Sequence, residues 1–381
     1  MRYNGIVQLR LTNMRSHKAL SLSLNSPLIV LYGLNGAGKT NILEALSLLG
    51  GTRGLRRAKI GDLCCRGNDP LAPWAVAAKL MIDDHVYTLS TGLEPDFFLA
   101  QKEKRIAKWE GETVSIADLG CRMGVVWLTP ELDSLFRDRP SHRRAFLDKW
   151  VAILDPSHTT RLNRYEQAMS ERSRLLKHHS YQRHATWLAG LEEIMAQESV
   201  AIYAARLHVI ESLNTQIQSV HTAFPKGIIS LSGELTPLFD TTAALVIEDT
   251  LRDLLCESRG ADALSGRTGH GAHKCDLEVL YLPKNIPVSY CSTGEQKTML
   301  LSMTLAFAMM VKRSFMGVPL LLLDEVVAHL DEERRCGLFE TLETLGVQAW
   351  MTGTEKIFFH GIDDRCQFLH VNSLMSEECS A

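Results

Sequence analysis

The segment from Leu28 to Leu49 constrains this chain more than any other. Leu28-Ile29-Val30-Leu31-Tyr32 is continuously apolar, as a strand covered on both faces must be. It runs straight into Gly33-Leu34-Asn35-Gly36-Ala37-Gly38-Lys39-Thr40, after which Ile42, Leu43, Ala45, Leu46 and Leu49 recur at helical spacing until Gly50-Gly51. The octet has the form G-x-x-x-x-G-K-[ST], the Walker A phosphate loop. Its glycines let backbone N–H groups turn inward around phosphate oxygens, and the helix N-terminus adds a favourable dipole. A glycine-rich turn can match by chance, but a chance match lacks the buried strand before and the amphipathic helix after. Gly33, Leu34, Asn35, Gly36, Ala37, Gly38, Lys39 and Thr40 are therefore expected to hold ATP, with Lys39 on the terminal phosphates and the Thr40 hydroxyl on Mg²⁺.

A phosphate loop needs an acidic partner for the metal. Pro319-Leu320-Leu321-Leu322-Leu323-Asp324-Glu325 has the Walker B form, a buried strand ending in two acids, so Asp324 is expected to bind Mg²⁺ and Glu325 to polarise the attacking water. Any buried strand that ends at an acidic turn looks the same, so the spacing matters. Nearly 300 residues separate Lys39 from Asp324, which implies a large insertion. Just upstream, Ser292-Thr293-Gly294-Glu295-Gln296-Lys297 opens an apolar helix carrying Met299, Leu300, Met303, Phe307, Met310 and Val311. An ordinary Ser/Gly helix cap would explain that segment alone. It does not explain the order, in which phosphate loop, Ser-x-Gly turn, acidic strand and Ala328-His329-Leu330-Asp331 follow one another. That order resembles ABC-type ATPases, where Ser292 and Gly294 would present donors to a γ-phosphate held by a second subunit and residues 328–331 would form the D-loop.

The opening strands, residues 33–45, Pro140-Ser141-His142-Arg143-Arg144-Ala145-Phe146-Leu147-Asp148, Gly271-Ala272-His273-Lys274-Cys275-Asp276-Leu277 and the Ser292 segment together resemble the bacterial RecF family over nearly the whole chain. The resemblance implies an ABC head like those of SMC and Rad50 proteins, which dimerises on ATP, binds single-stranded or gapped DNA, works with RecO and RecR, and indirectly serves RecA. It implies lysine and threonine roles for Lys39 and Thr40, and a contact of Ser292 with the opposite subunit's ATP. Three positions depart from the pattern. Asp324-Glu325 stands where RecF-like chains often have two aspartates, Met351-Thr352-Gly353-Thr354 lacks the switch histidine of many ABC proteins, and Thr129-Pro130-Glu131 occupies the plausible place of the Q-loop glutamine. The two absences point to slow hydrolysis used as a switch.

The expected architecture is an α/β ABC-type head built from residues 1–140 and 265–381, with 141–264 as an inserted, mainly helical lobe. A basic helix from about Thr159 to Lys177 and an apolar stripe from Leu188 to Phe224, broken by residues 178–184, predict a short helical hairpin. Such a hairpin is too brief for a long SMC-like coiled coil, which weighs against a purely structural SMC/Rad50-like ATPase. An ABC transporter's nucleotide-binding subunit needs fewer residues between its motifs. No run of apolar residues is long enough to suggest a membrane span, and nine scattered cysteines without a Cys-x-x-Cys fit reduced thiols, so a cytoplasmic protein is expected. The net charge of −3 hides an asymmetry: from Arg137 to His184 eleven Lys and Arg face five Asp and Glu. That stretch reads as a solvated helical face, as a DNA surface through Arg137, Arg139, Arg143, Arg144, Arg161 and Arg164, or, for Arg143 and Arg144 beside Phe146-Leu147, as an internal anchor. Arg53, Arg56 and Arg57, and the cluster Lys102-Glu103-Lys104-Arg105, are equally ambiguous.

Overall fold

A computed structural model describes residues 3–65, 72–94, 104–177, 181–219 and 222–372; Lys102 and Glu103, and residues 178–180 of the break before the apolar stripe, lie outside them. The chain divides into two compact units, one made of Met1–Asp133, Val220–Pro225 and Lys297–Ala381, the other of Ser134–Ser219 and Lys226–Gln296. In chain order the first unit begins with β1 (Gly5–Met14), β2 (His17–Ser23), β3 (Leu28–Tyr32), α1 (Lys39–Leu49), β4 (Ala75–Ile82), β5 (His85–Leu93), β6 (Arg105–Trp109), β7 (Glu112–Val114) and β8 (Met123–Leu128). The second unit carries α2 (Pro140–Leu154), α3 (His158–Leu176), α4 (Ala185–Ser219), β9 (Gly227–Ser232), α5 (Ala244–Glu257), β10 (Asp276–Tyr281) and β11 (Ile286–Pro287). The helix α6 (Thr293–Ser314) leads back into the first unit, which closes with β12 (Val318–Leu323), α7 (Glu332–Leu345), β13 (Gln348–Gly353) and β14 (Gln367–His370).

Two sheets build the first unit. One is antiparallel, in the order β2-β1-β4-β5-β6-β7. Its strands alternate because only one face is covered: Leu9 and Leu11 of β1, Val76, Ala78 and Leu80 of β4 and Leu89 of β5 share a core with Ile42, Leu43, Leu46 and Leu49 of α1. Each of these leucine, isoleucine and valine side chains contributes about 1.5–3 kcal/mol on burial. The other sheet is wholly parallel, in the order β14-β3-β13-β12-β8. Its central strands are covered on both faces, which is why β3 and β12 read as unbroken apolar runs; Leu321, Leu322 and Leu323 are each 0% exposed.

The second unit packs α3 against α4 and is not wholly helical. It also takes in residues 265–296, beyond the end expected for the lobe, because β9 pairs in antiparallel register with β10, from Gly227 opposite Tyr281 to Ser232 opposite Asp276. Among the described residues no helix is long and apolar enough to cross a membrane, and Cys121, Cys256, Cys275, Cys291, Cys336 and Cys366 are free thiols.

Candidate nucleotide site

β3 ends at Tyr32 and the chain enters the glycine loop with Gly33, Gly36 and Gly38 all at positive φ. Gly38 caps α1 at φ 92°, and a Cβ there would stand 2.6 Å from Ser16 Oγ and 2.7 Å from His17 Nε2, so no other residue fits. Lys39, the first residue of α1, folds back over the loop. Its ammonium donates to the Gly33 carbonyl at 2.7 Å and the Leu34 carbonyl at 3.0 Å. Burial pushes its pKa below the ordinary lysine value, and the charges of Glu325 and Asp324 oppose that shift. One turn further, Glu44 is buried and held bidentately by Arg15, Nε to Oε2 at 2.8 Å and Nη2 to Oε1 at 2.9 Å, which ties α1 to the turn between β1 and β2.

The acidic strand arrives where the loop needs it. β12 lies one strand from β3 across β13, so Asp324 at its end meets Thr40 although 284 residues separate them: the Thr40 hydroxyl donates to Asp324 Oδ1 at 3.2 Å. The Thr352 hydroxyl, at the end of β13, donates to the same oxygen at 2.7 Å and accepts the Glu325 N–H at 2.8 Å. Glu325 sits in the left-handed region at φ 54°, unusual for a residue with a long side chain, and the Thr352 contact is what holds it there.

Thr352 and Asn372 are site residues that sequence reasoning did not assign. Thr352 appeared only as the place where a switch histidine is missing; a lone hydroxyl closing the buried run Trp350-Met351 was the available signal. Asn372 gave no signal. Just past β14, its side-chain carbonyl accepts the Leu34 N–H at 3.1 Å, and it lies so close over Gly33 that a Cβ there would be 2.4 Å from Asn372 Oδ1. With Lys39 on its carbonyl side, the Leu34 peptide is thus held at both ends. Asn372→Ala is expected to weaken ATP binding roughly 2- to 12-fold, the worth of one net hydrogen bond, with the melting temperature unchanged. Equal ATP affinities in a titration of wild type and variant would dismiss Asn372 from the site.

Ser292 and Gly294 belong to the second unit. Ser292 caps α6: its backbone N–H and its hydroxyl both donate to Glu295 Oε2 at 2.9 Å. Glu295 is also bound by Lys284 at 2.7 Å, and these contacts, Lys284 first, pull its pKa down to about 2. Glu131, where a Q-loop glutamine was sought, follows β8 and is exposed.

The basic stretch is largely engaged within the second unit. Arg143 pairs with Asp276 at 2.6 Å and Arg144 donates to the Cys275 carbonyl at 2.6 Å, so the two segments that carried the family resemblance there, 140–148 and 271–277, are bound to each other. Arg206 completes the joint, reaching both oxygens of Asp148 at 2.8 Å and the Ala272 carbonyl at 2.7 Å. Burial raises the Asp148 pKa, but His158 and Arg206 more than reverse it and hold the carboxyl below its usual range. Arg161 and Arg164 pair with Asp155 and Glu198, and Arg172 is wholly buried between Glu192 and Asp262. Arg137 and Arg139 stay exposed. Arg105, from the third basic cluster, turns inward onto the Leu48 and Thr52 carbonyls, where burial lowers its pKa to about 10.

The glycine loop after β3, the acids after β12 and the parallel sheet between them define an ABC-type P-loop ATPase head. The model of the RecF/RecN/SMC N-terminal domain matches residues 5–376. The chain is 40% identical to the DNA replication and repair protein RecF of Rhizobium rhizogenes over 368 residues, 96% of each chain, and 40% identical to that of Mesorhizobium japonicum over 370 residues. It belongs to the RecF family. A solved structure described as the recombination mediator protein RecF-ATPrS in the RecFOR pathway has the same fold, with a TM-score of 0.82 at 23% identity and 97% of each chain covered. The Smc head domain of Pyrococcus furiosus aligns with a TM-score of 0.50 at 16% identity, covering 93% of this chain and 91% of that one.

Proposed function

We propose that this chain is an ATP-switched DNA clamp of recombinational gap repair and replication restart. ATP with Mg²⁺ at residues 33–40 closes a homodimer on single-stranded DNA or a gapped duplex; the clamp works with RecO and RecR and helps to load RecA. The convergence of Thr40, Asp324 and Glu325 beside the Lys39 loop carries this reading. A hydroxyl and a carboxylate side by side suit Mg²⁺, a hard cation that takes one or two protein oxygens and completes its shell with phosphate and water. Lys39 meets the terminal phosphates, and Glu325 polarises the attacking water. Mg²⁺ supplies charge neutralisation at the phosphates when bound; the protein's part is to fix the loop and to hold Glu325 in place through Thr352.

Gly294 supports an action across subunits. A Cβ at Gly294, in the first turn of α6, would meet no described atom within 4 Å, so no close steric neighbour among the described residues demands a glycine there. Close approach by a second subunit's nucleotide does. Hydrolysis is slow, since Thr352 has no imidazole with which to take a proton.

Sedimentation with and without ATP and Mg²⁺, repeated with gapped DNA, tests dimerisation and partner together. Wild type is expected to sediment as a dimer only with ATP and to carry DNA with it. Lys39→Ala, which removes the loop's cation, is expected to abolish both. A monomer at saturating ATP, with or without DNA, contradicts the proposal.

A further inference from the structure

The DNA surface remains to be located, because most arginines expected to provide it are engaged by carboxylates and carbonyls of their own unit. The uncovered face of the antiparallel sheet offers a different set of cations. Strand alternation that buries Leu9, Leu11, Ala78 and Leu89 turns Arg10, Lys79 and Lys108 outward, all exposed. The register puts Arg10 opposite Ala77, Ala77 opposite Ser90 and Ser90 opposite Lys108, so one row crosses β1, β4, β5 and β6; Lys79 stands in the next row, between Gln8 and Thr88.

Among the described residues none of the three pairs with a carboxylate within salt-bridge distance. Glu110, opposite Thr88, accepts from the Thr88 hydroxyl at 2.9 Å and keeps its negative charge beside the row. The floor between the cations is Ala77 and Ser90, small side chains that leave a shallow depression of about 250 Å³ lined also by Gln8 and Thr88.

We infer that this open sheet face, through Arg10, Lys79 and Lys108, is where the phosphate backbone of duplex DNA docks; the inference rests on the DNA-binding reading above and gives it a surface. Three strand spacings of about 4.8 Å separate Arg10 from Lys108, roughly 14 Å, and Lys79 is offset along its strand by about 7 Å. One backbone of a duplex presents a phosphate every 3.4 Å or so of axis, so about four phosphates span the row. The cations project from paired strands instead of a loop, which fixes their spacing before DNA arrives. Contacts to phosphates read charge and not sequence.

The test compares full-length wild type with the triple variant Arg10→Gln, Lys79→Gln, Lys108→Gln, and with the charge-keeping triple Arg10→Lys, Lys79→Arg, Lys108→Arg. The readout is fluorescence anisotropy of a labelled gapped duplex with ATP present, from 50 to 200 mM NaCl. Neutralisation is expected to weaken binding on the order of tenfold and to flatten the salt dependence by about 2 to 3 units, roughly 0.9 for each phosphate no longer neutralised, for any DNA sequence. The charge-keeping triple is expected to retain most of the wild-type slope, and ATP affinity is expected to be equal in all three. Wild type that binds DNA with the same slope as the neutral triple overturns the assignment, as it must if the face serves an acidic protein surface. Wild type that fails to bind DNA at all overturns the underlying reading as well.

Discussion

Glu325→Gln is expected to slow ATP turnover by on the order of 100- to 10,000-fold, the range for loss of a positioned proton acceptor, while leaving ATP affinity intact. The amide keeps the shape of the side chain, and the backbone contact that holds residue 325, its N–H on the Thr352 hydroxyl, does not involve the side chain. ATP should therefore be bound and retained, and the dimer should persist in sedimentation. Ser292→Arg is expected to prevent that dimer by placing bulk and charge where the partner's nucleotide must come. Because Ser292 also caps α6, Ser292→Ala serves as the control that removes the cap, worth about 1 kcal/mol, without adding bulk. If Glu325→Gln stays monomeric at saturating ATP and Mg²⁺ while wild type dimerises, the two-subunit site is wrong; unchanged turnover removes Glu325 from the chemistry.

The second large effect lies far from the nucleotide in function. Arg172 is 0% exposed and donates to Glu192 Oε1 at 2.9 Å, Asp262 Oδ2 at 2.7 Å and the Leu255 carbonyl at 2.6 Å. It thereby ties α3 to α4 and to the segment after α5. Arg172→Met removes one member of a buried ionic group and leaves carboxylates in the interior. Glu192 keeps Arg259, but Asp262 is left with the Ser258 hydroxyl and the Gly269 N–H. The expected loss is about 3–5 kcal/mol, read by calorimetry as an early melting transition of the second unit, with ATP binding preserved. A loss under about 1 kcal/mol would mean that the group is hydrated and adds little.

What the sequence made legible was what lies close together along it. The phosphate loop, the α1 stripe and the acidic end of β12 each span a dozen residues or fewer, and their periodicity and order carried them. Ser292 was placed at the start of α6 for the same reason. Partners brought together by the sheet were invisible. Thr352 reaches Asp324 only because β13 lies beside β12, and Asn372 reaches Leu34 only because β14 lies beside β3. The basic stretch was ambiguous because a run of arginines looks alike whether it faces water or Asp276, Glu198 and Asp262, residues distant in sequence whose approach depends on the β9–β10 pairing and the helical hairpin. The alternation of β1 marks a half-covered strand, yet a single strand could not reveal that its polar side lines up with Lys79 and Lys108.

The strand order β14-β3-β13-β12-β8 also governs when this protein can come into being on the ribosome. β3 carries the phosphate loop, but both its neighbours, β13 and β14, are made after residue 347. At about 5–20 residues per second, roughly 15–60 s pass between synthesis of β3 and of its first sheet partner. Throughout that interval an unbroken apolar strand has neither hydrogen-bonding neighbour, so chains released early carry an aggregation-prone segment and no working loop. Every active molecule is one whose translation ran past residue 370.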